Sequence, residues 1–98
     1  MVLDDLARGL LEREIDLAIN DIPELMAQYR LPEMKSKLLY KDESDFVLGL
    51  TFGRILSMYG INFRIKYNRI LMNEEITEMH QILTKRTIEI REAMFTSG

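Results

Sequence analysis

The chain has 98 residues, no cysteine and a net charge of −3, with 47% apolar and 30% charged side chains. This length suits one helical domain, 1–98, with a modest core, and the apolar share is too high for a disordered chain. Without cysteine there are no disulfides, thiol catalysis or cysteine-held zinc, and MVLDDLARGL carries two aspartates where a secretion signal needs bases, so the expected location is cytoplasmic.

Residues 3–22 read as an amphipathic helix. Leu3, Ala7, Leu11, Ile15, Ala18 and Ile22 recur at steps of three and four. Asn20-Asp21-Ile22-Pro23-Glu24 predicts a break and restart, because proline is tolerated in a first turn, where its missing N–H is not needed. A short second helix over 23–29 follows, and Leu31-Pro32 repeats the device for a third over 32–40.

Residues 41–45 form a polar connection that ends in a cap, Ser44 or Asp45. The next run, FVLGLTFGRILSMYG, predicts a helix over 46–59 closed by Gly60 as its left-handed C′ residue. Its apolar residues point nearly all round, which places it at the centre of the fold. Within it Gly49, Gly53 and Ser57 recur every four positions, although each interior glycine costs about 1 kcal/mol against alanine. Small residues so spaced line one shallow strip and allow another backbone to approach closely, within this chain or from a second copy. The run nears the length of a membrane span, but Arg54 near its middle argues against insertion.

Ile61, Phe63, Ile65 and Tyr67 alternate with polar residues, the period of a half-buried strand. Nothing else in the chain alternates, so such a strand would pair with its own copy across a two-fold axis. The helical alternative, which we prefer, threads Ile61, Ile65, Met72, Ile76, Met79, Leu83 and Ile90 on one stripe. The last segment, 73–95, is the clearest helix and the longest expected. Asn73 can cap it, with Glu74, Glu75 and Glu78 early and Lys85, Arg86 and Arg91 late, as the helix dipole favours. A helix running into it from residue 62 would set bases at its own start, so a kink or break is expected near 73. Among the seven methionines, Met58, Met72 and Met79 are placed in the core, and Met26, Met34 and Met94 fit either core or groove.

Charge is laid out in blocks. Residues 1–29 hold seven acids and two bases, 30–41 four bases and one acid, and 61–72 three bases and no acid. Lys35, Lys37 and Lys41 form one basic block; Arg64, Lys66 and Arg69, interleaved with Phe63 and Tyr67, form another. Clustered cations beside aromatics suit phosphates and stacked bases, so nucleic-acid binding is the alternative reading.

Motifs for catalysis or metal are weak, and no catalytic residue, metal site, cofactor or small-molecule substrate is assigned. His80 has no carboxylate one turn away. Glu75 and Glu78, and Glu89 and Glu92, form E-x-x-E pairs like those that hold magnesium in helical nucleotide pyrophosphohydrolases. On one helix they lie about 21 Å apart and do not converge. The stretch LEREIDLAINDIPELMAQYR resembles the opening helix of the helical chorismate mutases, which would give Arg13, Arg30 and Lys41 the clamping of a dicarboxylate. The likeness stops early: Pro23 and Pro32 interrupt the long helix, and Ile55 follows Arg54 where an Arg-Glu pair is required.

The expected fold is therefore all-α, a compact bundle of four or five helices with a central apolar helix and a long C-terminal one. The expected function is a non-enzymatic protein-interaction module, a small homodimer or a subunit of a larger assembly, with no membrane partner. Its contact residues are Gly49, Gly53, Ser57, Ile61, Phe63, Ile65 and Tyr67.

Overall fold

A computed structural model describes residues 2–38 and 40–96. Its helices are α1 (Asp5–Tyr29), α2 (Pro32–Leu38), α3 (Glu43–Tyr67), α4 (Asn73–Lys85) and α5 (Thr87–Thr96). No strand occurs among the described residues, so 61–67 are helical and the fold is an all-α bundle.

α1 begins at Asp4, whose carboxylate accepts the Ala7 N–H at 2.8 Å. The expected break at 20–24 does not occur, and the helix runs through Pro23 to Tyr29. An interior proline costs about 3 kcal/mol. Ile22 and Met26, on either side of it, are both fully buried, and each contributes about 1.5–3 kcal/mol only if the stripe stays in phase. Burial outweighs the breaker. Beyond α1, α2 buries none of its side chains, and Leu39 lies outside the described residues. Tyr40, expected in that helix, stands beyond it. Its hydroxyl donates to the Tyr29 carbonyl and its ring stacks on Phe46 at 4.4 Å.

α3 starts earlier and ends later than its sequence suggests. Asp42, rather than Ser44 or Asp45, is the cap, accepting the N–H groups of those two residues at 2.8 and 3.2 Å. Gly60 is an ordinary helical residue, because buried Tyr59 and Phe63 are one turn apart and pack together only if the helix continues. The left-handed terminator is Asn68, at φ 54°, whose N–H donates to the Arg64 carbonyl at 2.8 Å. Asparagine is among the few residues with a side chain that visit this region readily.

The break expected near residue 73 is present. α4 is capped at Met72, with the Glu75 carboxylate accepting the Met72 N–H at 2.8 Å, and Asn73 is the first helical residue. The expected single C-terminal helix is divided at Arg86, whose backbone leaves the helix at φ −93°, ψ 4°. The longest helices are thus α1 and α3, of 25 residues each.

α1 and α3 lie antiparallel. Tyr67 reaches Asp4, Tyr59 reaches Ala7 and Arg54 reaches Asp21. α5 packs across both, so α1 packs against α2, α3 and α5, whereas the main packing of α3 is against α1 and α5. The expected central position belongs to α1, and α3 is open on one side. The bundle measures 43 × 24 × 18 Å, and its radius of gyration of 14.8 Å exceeds the about 13 Å usual at this length.

Candidate interaction face

Two rows on α3 define its two sides. Val47, Thr51, Ile55, Tyr59 and Phe63, four apart, are all buried in the core. Asp45, Gly49, Gly53, Ser57, Ile61 and Ile65, also four apart, are all exposed. The second row is two residues out of step with the first, about 200° around a helix of 3.6 residues per turn. It therefore faces away from the core along most of the helix. Leu50 and Met58 flank it, and Ile61 and Ile65 are 53% and 77% exposed.

Among the described residues nothing packs against the glycines of the strip. A β-carbon built at Gly49, Gly53 or Gly60 would meet no atom within 4 Å beyond its chain neighbours and the local helix backbone. A groove flanks the C-terminal half of the outer row on either side. One, of about 610 Å³, lies between Leu10, Arg13, Glu14 and Leu17 of α1 and Asn62, Ile65 and Lys66 of α3. The other, of about 570 Å³, is mostly apolar and lies between Leu56, Gly60 and Ile61 and the segment carrying Ile70, Leu71 and Ile76.

Polar contacts fix the sides of α3 to α1. The Arg54 guanidinium is paired with Asp21, and the Asn62 amide donates to buried Glu14 at 2.9 Å. Tyr59 donates to the Ala7 carbonyl at 3.0 Å, and burial pushes its hydroxyl up to about 12. Tyr67 donates to Asp4 at 2.7 Å, and its ring stacks on Phe63 at 4.5 Å. Phe63 and Tyr67 are thus interior packing residues, and the contact set read from the sequence divides. Gly49, Gly53, Ser57, Ile61 and Ile65 share the outer face; Phe63 and Tyr67 do not.

The basic blocks divide as well. Lys35 pairs with Glu43 at 3.2 Å. Arg69 grips Glu75 with two hydrogen bonds, at 2.7 and 3.0 Å, and lies 4.9 Å over the Phe63 ring. Lys37, Lys41, Arg64 and Lys66 are exposed, with no ion-pair partner among the described residues. Lys35 sits beside the first turn of α3 and Arg64 in its last, roughly 32 Å apart at 1.5 Å per residue. They form no continuous stripe.

The carboxylates serve structure. Glu75 is buried, and the Arg69 guanidinium holds its carboxyl below the usual range. Glu78 accepts the N–H groups of Leu3 and Val2 at 2.8 and 2.9 Å, and these bonds lower it too. Among the described residues no group of three metal-binding side chains gathers. Exposed His80 bonds the Ile76 carbonyl of its own helix. Arg13 lies within α1 and Arg30 caps its end, about 25 Å away, so one small dicarboxylate cannot span them.

Met79 is buried as expected and Met26 and Met94 take the core of their two options, while Met58 and Met72, expected in the core, are exposed. Sequence reasoning also missed the cluster around Arg86, whose guanidinium meets Asp16 at 2.7 Å, Glu89 at 2.6 Å and Glu12 at 3.6 Å. Its signal was present, since Glu12 and Asp16 are one turn apart on α1 and call for a cation between them. By length and composition α3 alone among the described helices is long and apolar enough to cross a membrane.

No protein-family model matches this chain, and neither does a curated protein or a solved structure.

Proposed function

We propose that the protein is a non-enzymatic helical association module whose outer α3 face docks a second copy of the chain. One observation carries this reading: the exposed row Gly49, Gly53, Ser57, Ile61 and Ile65, on a helix whose opposite row is wholly buried. Three glycine or serine positions leave the helix backbone bare to solvent, at a cost in helix stability that close approach by another helix offsets.

The surface area supports it. The chain exposes 6398 Å², against about 5,800 Å² expected for a monomer of 11.5 kDa. The excess goes with an elongated shape of 43 × 24 × 18 Å that leaves one side of α3 open to a partner. The polar anchors Arg54–Asp21 and Asn62–Glu14 commit the flanks of α3 to α1, which fits docking on a neighbour better than immersion in lipid.

Light scattering after size exclusion, over a range of concentrations, tests the proposal. The expected mass is twice 11.5 kDa. Gly53→Leu has open space around it within the chain, so it is expected to give a folded monomer of unchanged helicity. A wild-type monomer at every concentration, or a dimer that Gly53→Leu leaves intact, overturns the proposal.

A further inference from the structure

We infer that the second copy docks antiparallel, its α3 laid along this α3 with the two-fold axis between Gly53 and Ser57. The inference rests on the association proposed above and adds its geometry.

Charge sets the direction. α3 opens with Asp42, Glu43 and Asp45 and closes with Arg64 and Lys66. Asp45 holds only a 3.5 Å contact to Arg91 and is 70% exposed, while Arg64 and Lys66 have no ion-pair partner among the described residues. A parallel pair would set acidic end on acidic end and basic on basic, within the roughly 8–10 Å over which such charges still interact in salt. An antiparallel pair brings the acidic start of each α3 alongside the basic end of the other, with Asp45 next to Arg64 across the seam, twice, and opposes the helix dipoles favourably.

Shape sets the register. With the axis between Gly53 and Ser57, Ile61 of each copy comes over Gly49 of the other, a large side chain over a bare stretch of backbone. Gly53 then meets Ser57, so the axis itself is crossed by small residues only. Helices pack by setting the ridges of one into the grooves of the other, and this register supplies a ridge for each groove. In this register Asp45 faces Ile65 with Arg64 beside it, and a shift of the axis by two residues toward the N-terminus takes Ile61 off the bare backbone at Gly49. The same shift toward the C-terminus leaves Arg64 against Leu50. α3 is about 37 Å long, enough for an interface of standard size.

The chain has no native cysteine, so single cysteines report position cleanly. Asp45→Cys and Arg64→Cys, each made in the full chain and checked for helicity, are oxidised mildly alone and as an equal mixture. The expected result is a covalent dimer from the mixture, with one of each variant, and none from either alone. Covalent dimer from Asp45→Cys alone shows a parallel pair and overturns the inference. No covalent dimer from a mixture that scatters as a dimer overturns the register while association stands. Wild-type scattering as a monomer overturns both.

Discussion

Glu75 and Glu78 are acids placed where a helical surface would ordinarily carry them, yet both are buried. Each is held as an anion, Glu75 by Arg69 and Glu78 by the first backbone N–H groups of the chain. Both carboxyls lie below 4.5 in the folded protein, so an unfolded chain takes up the protons first as pH falls. Their stabilisation is complete above the ordinary carboxylate range and is lost as pH drops through 4.5 toward the folded values. Thermal unfolding followed by circular dichroism should give a Tm that is flat near neutrality and falls below that pH. In the Glu75→Gln, Glu78→Gln double variant the fall should be shallower; a slope identical to wild type would remove these residues from the account. Asn68 teaches the same lesson about terminators. The residue that ends α3 is not the glycine at position 60 but the asparagine eight residues later.

Among the elements, α1 shows how a local rule yields to packing. Pro23 lies on the exposed side of a helix whose buried row, Ile15, Ala18, Ile22 and Met26, continues past it. The ring removes one backbone hydrogen bond and crowds the carbonyl one turn back, and the helix tolerates both because the row beneath is fully buried. Pro23→Ala should restore that bond and stabilise the fold by up to about 3 kcal/mol, read as a higher urea midpoint with an unchanged slope. A lower midpoint would mean that the proline itself is needed for α1 to fit its neighbours. For α3, the strip of small residues was legible in the sequence, but its exposure was not. A helix carries such a strip in the same spacing whether it lies against its own chain or faces solvent.

At the scale of the whole molecule, the C-terminal arm is pinned to α1 through Arg86. Its guanidinium joins Glu12 and Asp16 to Glu89 at the turn between α4 and α5. This fork binds several carboxylates at once, a geometry lysine does not reproduce. Arg86→Ala leaves those acids facing one another and should cost about 2 kcal/mol. Arg86→Lys should recover only part of that, both being measured by denaturant unfolding. Equal stability of all three proteins would make the cluster a surface ornament.

Helix content, the inner row of α1 and the break before residue 73 were determined by the sequence itself. Each rests on spacing and on end-capping chemistry acting over a few residues. Tertiary structure decided the rest: whether Pro23 breaks a helix, where α3 stops, which of Ile61, Phe63, Ile65 and Tyr67 face inward, and which lysines and arginines remain unpaired. These turn on which residues from distant parts of the chain share one core and one surface. Tyr59 reaching Ala7, Asn62 reaching Glu14 and Arg86 reaching Asp16 are contacts that no local pattern encodes. Burial worth a few kcal/mol at such contacts exceeds the local preferences of single residues, and so it sets the outcome.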